Sequence, residues 1–266
     1  MLIEQTLFGT VDKVQNAIDL LREHEPPEGY YLCFSGGKDS VVIYELAKRA
    51  GVKFDAHFNI TTVDPPELMR FVRDHFHDVT WERPPLSMYQ LILKKKMLPL
   101  RSVRYCCREL KERNGQGRVK ITGIRSEESP RRAKRPQIDP DFHGKYFVHV
   151  IKDWSTDDVW QFIRENNLPY CSLYDEGFER IGCVLCPFAN AKWIEIDIKR
   201  WPGIVAMYKR ACNKLWEIYN ADNPRHPEWH CGDDILTWWI DRHRKITVAE
   251  DCNSVPLFSE DDGFIL

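Results

Sequence analysis

The sequence predicts an α/β fold: a Rossmann-like, doubly wound, mostly parallel sheet, followed by a mainly helical C-terminal segment that contains cysteines. Strand-like apolar runs alternate with helical patterns up to about residue 170, which is typical of strands joined by crossover helices. Residues 30–35 are almost continuously apolar, as expected of a parallel strand buried on both faces. Beyond residue 170 the chain becomes rich in glycine and cysteine, and then helical.

The composition is that of an ordinary globular protein. The chain has 266 residues, of which 43% are hydrophobic and 29% are charged, enough for one large domain with a sizeable core. The net charge of −2 excludes a global attraction to nucleic acid, so such a partner would require a local basic patch.

We expect a cytoplasmic protein without a membrane partner. The start, MLIEQTLFGT, has no basic stretch followed by an apolar core, so we expect no signal peptide. No run approaches the roughly 18 apolar residues of a membrane span. In the cytoplasm, the nine cysteines are expected to be free, catalytic or metal-bound rather than paired in disulfides.

The first half of the chain alternates regularly between predicted helices and strands. Gly51 stands where a helix C-cap glycine belongs, and the prolines of DPPEL suit the first turn of a helix. The predicted order is helix 10–24, strand 30–35, helix 39–50, strand 52–60, a helix from DPPEL, a short strand at DVTW and a helix at SMYQLILKKK.

The second half begins with two predicted strands, RVKITGIR and KYFVHVIKD. Ser155 and Asp158 then form a capping pattern ahead of the helix in STDDVWQFIRENN. Pro202 opens a helix to about residue 220, and a last short helix covers ILTWWIDRHRK. We therefore divide the chain into an N-terminal helix (1–29), an α/β core (30–170) and the cysteine-containing segment (171–266).

A glycine turn interrupts the chain in YLCFSGGKDSVV. Gly36 and Gly37 let the backbone approach an anion closely, and the following helix aims free N–H groups at it. Lys38 adds a positive charge and Ser40 a hydroxyl. The Walker A pattern does not match, because Asp39 separates the lysine from the serine, and G-x-G-x-x-G does not match either. The alternative is an ordinary tight turn with solvated polar residues. The strand–loop–helix context argues against that alternative.

Polar side chains follow the second predicted strand. Thr61, Thr62 and Asp64 stand at its carboxyl end, the edge where α/β sheets bind ligands. An acidic or hydroxyl side chain there can meet the ribose of an adenosine or a metal ion. The alternative for Asp64 is a cap on the next helix.

The strand RVKITGIR ends in a basic region. Gly123 and Arg125 lie at its carboxyl edge, and Arg131 and Arg132 begin the run RRAKR. Guanidinium groups bind phosphate or sulfate bidentately, so these arginines are candidate oxyanion ligands. A solvated surface loop and a contact to a nucleic-acid backbone are the alternatives for the run.

Two pairs of cysteines have metal-ligand spacing. Cys106 and Cys107 are adjacent, and Cys183-x-x-Cys186 lets two sulfurs reach one centre from a tight turn. Residue types alone favour structural Zn²⁺, which also accepts four sulfurs, and free thiols are a further alternative. The patterns around Cys33, Cys171 and Cys212 predict core residues, and Cys252 has no assignment.

The segment SGGKDS resembles the PP-loop of ATP pyrophosphatases, in the superfamily of adenine nucleotide alpha-hydrolase-like folds. The resemblance implies that residues 30–170 bind ATP with Mg²⁺, with the loop on the β and γ phosphates. It implies catalytic roles for Lys38, Ser40 and Arg125. The nucleotide-binding residues are then Ser35, Gly36, Gly37, Lys38, Asp39, Ser40, Thr61, Thr62, Asp64, Gly123 and Arg125.

Four further stretches, YCCREL, GIRSEESPRRA, DWSTDDVWQFIRENNLPY and GFERIGCVLCP, are similar to the phosphoadenylyl-sulfate and adenylyl-sulfate reductase family. The similarity covers roughly residues 28–190. Members of its iron–sulfur branch bind one [4Fe–4S] cluster through a Cys-Cys pair and a later Cys-x-x-Cys. The resemblance implies this role for Cys106, Cys107, Cys183 and Cys186, with zinc as the alternative.

Two departures from the reductases matter. Their mobile C-terminal segment carries a catalytic cysteine in Glu-Cys-Gly-Leu/Ile-His, whereas this chain has only WHCGDD around Cys231. Their loop generally lacks the lysine, because their substrate has no pyrophosphate to expel, whereas Lys38 is present here. Both departures point toward a relative that uses ATP.

The resemblance therefore implies an ATP pyrophosphatase that adenylates an acceptor for sulfur transfer. Its partners would be an adenine nucleotide, a nucleic-acid acceptor and a protein that donates sulfur. A sulfonucleotide reductase using Cys231 is the first alternative, and a zinc-stabilised nucleic-acid-binding module is the second.

Overall fold

The computed structural model describes residues 2–6, 9–140, 146–222 and 229–251. The chain forms two compact units, each assembled from separate stretches of sequence. The sheet unit consists of residues 1–59, 66–82 and 113–181. The cysteine unit consists of residues 60–65, 83–112 and 182–266.

Every strand of the described residues lies in the sheet unit. The antiparallel pair of β1 and β2 stands apart from a six-stranded sheet of order β5-β4-β3-β6-β8-β7, in which β7 is antiparallel to its neighbour and the other described strands are parallel. The strands are β1 (Ile3–Thr6), β2 (Gly9–Asp12), β3 (Tyr30–Phe34), β4 (Phe54–Asn59), β5 (Thr80–Glu82), β6 (Lys120–Thr122), β7 (Ile138–Pro140) and β8 (Tyr146–His149).

Helices occur in both units. Those of the sheet unit are α1 (Lys13–Glu23), α2 (Lys38–Ala50), α3 (Pro66–His75), α6 (Pro130–Ala133) and α7 (Thr156–Glu165). Those of the cysteine unit are α4 (Met88–Lys95), α5 (Tyr105–Leu110), α8 (Ala191–Arg200), α9 (Pro202–Asp222) and α10 (Gly232–Asp251). None of the described helices is long and apolar enough to cross a membrane.

The strand order creates a topological switch point at β3. From β3 the chain passes through α2 to β4 on one side, whereas β6 pairs with β3 on the other side. Ligands of open α/β sheets bind outside the carboxyl ends of the strands at such a point. The segments that follow β3 and β6 are therefore the place to look for a site.

Local sequence explains why these elements form. In β3, Tyr30, Leu32 and Phe34 are almost fully buried. Helix α2 ends at Gly51, whose φ of 70° is left-handed and favours glycine. Helix α7 begins with the predicted capping box, in which the Ser155 hydroxyl accepts from the Asp158 amide and the Asp158 carboxylate accepts from the Ser155 amide.

The cysteine unit packs around aromatic side chains. The rings of Tyr208 on α9 and Trp239 on α10 stack with centroids 5.2 Å apart, and both side chains are fully buried. The Trp239 indole donates a 2.7 Å hydrogen bond to the Pro99 carbonyl, so the segment before α5 is tied to α10.

The predicted α/β fold with a mostly parallel sheet and a helical, cysteine-containing C-terminal region is confirmed. The N-terminal helix begins at Lys13 rather than at residue 10, because residues 9–12 pair in the hairpin. The sequence reading also missed α8 and the antiparallel β7. The division at residues 29 and 170 stays a prediction, and Cys252 lies outside the described residues.

Two glycines of one loop provide a test of the sheet's packing. Gly115 and Gly117 have nearly the same left-handed φ, 71° and 72°. A Cβ on Gly115 would lie 2.8 Å from the Tyr31 ring of β3, whereas a Cβ on Gly117 would meet nothing within 4 Å.

We expect Gly117→Ala to lower the free energy of unfolding by about 1–2 kcal/mol, the cost of placing alanine in left-handed backbone. Gly115→Ala should cost about 1–3 kcal/mol more, because the added methyl overpacks against the ring. Urea unfolding of both variants measures the difference. Equal losses would contradict the close approach of this loop to Tyr31.

Candidate nucleotide-binding loop and cysteine cluster

The loop after β3 is shaped by its two serines. The Ser40 hydroxyl donates a 2.8 Å hydrogen bond to the Gly37 carbonyl and accepts one of 3.2 Å from the Ser35 hydroxyl. The Ser35 hydroxyl also accepts from the Gly37 amide at 3.4 Å. Gly37 is the N-cap of α2 and has no side chain to satisfy the first amides of the helix. These bonds hold the turn in the form that presents the helix N-terminus.

Gly36 is required by the conformation and the packing of the turn. Its φ is 73°, in the left-handed region. A Cβ there would lie 2.7 Å from Leu68 and 2.8 Å from Val72 of α3. Only glycine therefore lets the chain leave β3 and enter α2 beneath α3.

Lys38 is 4% exposed and points into the sheet unit. Its ammonium donates a 3.1 Å hydrogen bond to the Glu179 carbonyl, and its Nζ lies 3.6 Å from Asp39 Oδ2. It also faces the Tyr174 ring, 5.5 Å from the centroid. An ammonium has three N–H donors, so a phosphate can be added to these contacts.

Tyr174 is a contact of the loop that the sequence reading missed. Its hydroxyl accepts a 2.9 Å hydrogen bond from the Lys38 amide, one of the free donors at the start of α2. Burial raises the pKa of the phenol well above its usual range, so the group stays neutral. The phenol oxygen stands where an anionic oxygen would find the same donor.

Arg125, after β6, is bound to the start of α2. It is 3% exposed, and its Nε donates a 2.7 Å hydrogen bond to Asp39 Oδ1. Its Nη1 donates to Glu127 at 2.9 Å and to the Trp154 carbonyl at 3.4 Å. In this structure Arg125, which was predicted to bind phosphate, is held by the carboxylates of Asp39 and Glu127. It therefore also fixes the position of Asp39.

Gly123 allows this approach. A Cβ there would lie 3.0 Å from the Asp39 Cβ and 3.1 Å from its backbone carbonyl, so a larger residue would push the end of β6 away from α2. The residues predicted after β3 and those predicted after β6 therefore meet at the switch point.

The basic run that follows is engaged with acidic neighbours. Arg132 forms an ion pair with Glu128, and Arg135 Nη1 lies 3.1 Å from Asp139 Oδ2. Arg131 lies beside Arg132 in the short helix α6. A role for Arg131 and Arg132 as oxyanion ligands stays a prediction.

The predicted site residues after β4 belong to the cysteine unit. The Thr61 amide donates a 2.7 Å hydrogen bond to Asp64 Oδ2, and the Thr61 hydroxyl accepts from the Cys183 thiol at 3.5 Å. Thr62 has a φ of 64°, and its hydroxyl accepts from the Met88 amide. The structure thus brings Thr61 and Asp64 together with a cysteine, and their nucleotide contact stays a prediction.

Cys106 and Cys107 lie in the first turn of α5 and are hydrogen-bonded to each other. The hydrogen bond from Cys106 lowers the pKa of Cys107 to about 5, and the nearby Arg104 guanidinium acts in the same direction. The same bond raises the pKa of Cys106 far above its usual range, and the charges of Cys183 and Cys186 add to this rise. One thiolate forms readily here, and a second is strongly opposed.

The loop Cys183–Cys186 is fixed from two sides. The Val184 amide donates a 2.8 Å hydrogen bond to the Val63 carbonyl. The Leu185 amide, at a left-handed φ of 56°, donates a 2.7 Å hydrogen bond to the Asp197 carboxylate on α8. Asp197 is 6% exposed, and burial raises its pKa to about 6.

Lys111 supplies positive charge to this cluster. The Cys183 thiolate is the largest cause that raises the pKa of Lys111, with Cys186, Asp64 and Cys107 adding to it. Burial raises the pKa of Cys183 to about 11, and Lys111 opposes that rise. The cation therefore faces both cysteine pairs, which no spacing rule in the sequence indicated.

The donor set consists of four thiols, which suit either a structural Zn²⁺ or an iron–sulfur cluster. Within the described part of the chain, no group of three or more His, Cys, Asp or Glu side chains is arranged around one ion. Iron–sulfur clusters distribute four thiolates over several iron atoms, and four free cysteines in mutual electrostatic range, with cations beside them, suit that arrangement.

The remaining described cysteines differ in exposure. Cys171 and Cys212 are fully buried, and burial raises the pKa of each thiol, as expected of the predicted core residues. Cys33 is half-buried on β3, and burial raises its pKa to about 11. Cys231 is exposed at the start of α10, where its amide donates to Asp234.

The chain is similar to several known proteins over part of its length. A model of the phosphoadenosine phosphosulfate reductase domain matches residues 29–189. An uncharacterized protein of Methanocaldococcus jannaschii is 28% identical over 239 residues, which cover 84% of this chain and 48% of that protein. An adenosine 5'-phosphosulfate reductase of Oceanobacillus iheyensis is 38% identical over 84 residues, covering 31% of this chain and 35% of the reductase.

The alignments therefore span about half, or less, of the length of these two relatives. Among solved structures, the phosphoadenylyl-sulfate reductase of Candida auris in its phosphate complex has a TM-score of 0.51 and 20% identity, covering 63% of this chain and 88% of that one. This likeness shows a shared fold. Because the family model matches more than half of the 266 residues, the chain belongs to the phosphoadenosine phosphosulfate reductase domain family.

Proposed function

We propose that this protein is a PP-loop enzyme that binds an adenine nucleotide and cleaves ATP to AMP and pyrophosphate for adenylation-dependent sulfur transfer. The observation that carries the proposal is the position of Lys38. Its side chain is almost fully buried at the start of α2, directly after the glycine turn at the switch point.

The chemistry expected of the loop is electrostatic. An oxygen of the acceptor attacks the α-phosphorus, the bond from that phosphorus to the bridging oxygen breaks, and pyrophosphate leaves with the electron pair. Lys38 and the amides at the start of α2 would bind the phosphates that carry the developing charge. Mg²⁺ bound to the nucleotide would neutralise part of it. A sulfur nucleophile then displaces AMP from the acceptor.

Arg125 acts as a positioning residue in this proposal. Its hydrogen bond to Asp39 ties the end of β6 to the first turn of α2, the turn that also carries Lys38. Glu127 and Trp154 hold the other end of the guanidinium, so the pair has a defined geometry before a nucleotide binds.

The cysteine unit would hold a [4Fe–4S] cluster through Cys106, Cys107, Cys183 and Cys186. Bound there, a cluster would supply one-electron redox chemistry beside its sulfide ions. Lys111 and Arg104 would offset the negative charge of the four thiolates, and Asp197 would fix the loop that contains two of them.

Reduction of adenylyl sulfate is the second candidate function. It is favoured by relatives named adenosine 5'-phosphosulfate reductases and by the exposed thiol of Cys231. The substrate of a reductase has no pyrophosphate. The two functions therefore differ in the nucleotide that Lys38 would contact, ATP in the first and adenylyl sulfate in the second.

We expect wild-type protein to release AMP and pyrophosphate from ATP, and Lys38→Ala to do so about 10²–10³-fold more slowly, because one electrostatic contact is lost. Lys38→Arg should not rescue the rate fully, since a planar guanidinium does not replace a compact ammonium in a tight loop. Phosphorus NMR identifies the products.

Lys48→Ala is the matched control, because Lys48 lies on the same helix with its ammonium over the Tyr44 ring. Its rate should equal that of the wild type. ADP and phosphate as products, or an unaffected Lys38→Ala, would rule out a pyrophosphatase site at this loop.

We expect anaerobically purified protein to be brown and to contain about four iron atoms per chain. Cys183→Ser and Cys186→Ser should each lose the iron, because each removes a thiolate ligand. Iron analysis and the visible absorption spectrum measure this. Stoichiometric zinc without iron in the wild type would end the cluster assignment.

Cys231→Ser serves as the control for iron content and separates the two functions. We expect it to retain both the iron and the cleavage of ATP. If it instead abolishes thiol-dependent release of sulfite from adenylyl sulfate, the protein is a reductase and the pyrophosphatase proposal fails.

A further inference from the structure

A basic segment precedes the Cys-Cys pair in the cysteine unit. Residues 94–108 contain six cationic side chains and no acidic one, in a chain whose net charge is −2. The cations are Lys94, Lys95, Lys96, Arg101, Arg104 and Arg108. Lysines 94–96 end α4, and Arg104 is the N-cap of α5. This concentration of charge is the local patch that a polyanion would require.

An exposed aromatic ring lies against this segment. Phe188 is 41% exposed and follows the Cys183–Cys186 loop by two residues. The Arg104 guanidinium lies 4.8 Å from the centroid of its ring and the Arg101 guanidinium 5.6 Å from it. Both arginines are anchored, since Arg101 Nε donates a 2.9 Å hydrogen bond to the Pro187 carbonyl and Arg104 Nη2 contacts Cys107 Sγ.

Glu109 is an acidic neighbour of two cations of this segment. Glu109 Oε1 lies 3.3 Å from Lys95 Nζ and 3.6 Å from Arg108 Nη2, so one carboxylate serves two cations. Val103, another member of the segment, is 39% exposed. Exposed apolar side chains and cationic side chains therefore both occur in this part of the cysteine unit.

We propose that the surface formed by Arg101, Arg104, Phe188 and lysines 94–96 binds a single strand of nucleic acid. An unpaired base stacks on the Phe188 ring, and the phosphates lie against the cations. The proposed function requires an acceptor, and we identify that acceptor as the bound strand. In this respect the inference rests on the proposed function. Since Arg104 touches Cys107 and Phe188 follows Cys186, the bound strand lies beside the cysteines.

The ring and its two guanidiniums favour a nucleic acid over an acidic protein. Lysines alone are enough to bind the carboxylates of an acidic protein. An exposed aromatic ring among the cations would not be needed for that. Single-strand binding sites combine a positive surface with aromatic rings on which bases stack, and arginine adds cation–π contacts. DNA and RNA single strands share this chemistry.

The test is fluorescence anisotropy of a labelled 20-nucleotide strand of mixed sequence, made as DNA and as RNA, with the full-length protein and no ATP. We expect binding by at least one of them, and Phe188→Ala to weaken it about tenfold, since stacking is lost. Phe188→Leu should weaken binding nearly as much, because it retains apolar bulk without a ring. Arg101→Gln should make the slope of log association constant against log salt concentration less negative by about 0.7, the contribution of one phosphate contact.

Two variants of the sheet unit are matched controls. Tyr170→Ala removes another exposed aromatic side chain, and Arg73→Gln removes another exposed arginine. Neither should change the affinity. An affinity insensitive to Phe188→Ala, a Phe188→Leu variant that binds like the wild type, or equal affinity for a duplex would overturn the proposal. Binding to an acidic protein without binding to either strand would overturn it as well.

Cleavage of ATP, measured on the same preparations, separates this inference from the proposed function. Measured without the strand, Phe188→Ala should cleave ATP like the wild type, because Phe188 lies outside the nucleotide loop. If the protein binds the strand through Phe188 but does not cleave ATP, only the proposed function is contradicted. If it cleaves ATP but does not bind the strand, only the proposed binding surface is contradicted.

Discussion

The ion pair of Arg125 with Asp39 is the interaction on which the candidate nucleotide site depends. It joins the end of β6 to the first turn of α2, although the two residues are more than 80 positions apart in the sequence. The pair can form only because Gly123 has no side chain, since a Cβ there would contact Asp39 itself. Burial of the guanidinium strengthens the attraction, because the local dielectric is lower than in water. The free amides of α2 therefore keep a fixed position relative to the sheet.

The fold was largely predictable because its signals are local. The apolar run of β3, the left-handed Gly51 and the capping box at Ser155 each specify an element within a few residues. The antiparallel β7 carries no such signal, whereas α8 has one that was overlooked, since the Asn190 side chain caps it by accepting from the Trp193 amide. The glycine loop was predictable for the same reason, since strand, turn and helix are contiguous.

The surroundings of the site were less predictable, because they are made by residues distant in sequence. Tyr174 meets the Lys38 amide, and Asp197 meets the loop of Cys183, through contacts that spacing cannot encode. Arg125 was expected to face an oxyanion, yet its neighbours are carboxylates, which a reading of residue types along one strand does not reveal. Pairs of cysteines are visible in a sequence, whereas the interaction of Lys111 with members of both pairs is not.

The assembly of the cysteine unit from residues 60–65, 83–112 and 182–266 has a consequence for biosynthesis. Its second cysteine pair follows the first by 76 residues, counted from Cys107 to Cys183. At roughly 5–20 residues per second, the first pair leaves the ribosome about 4–15 s before its partners. During that interval the first two thiols belong to a unit that is still incomplete. Completion of this unit is therefore a late, long-range event, whereas β3, α2 and β4 can associate as soon as they emerge.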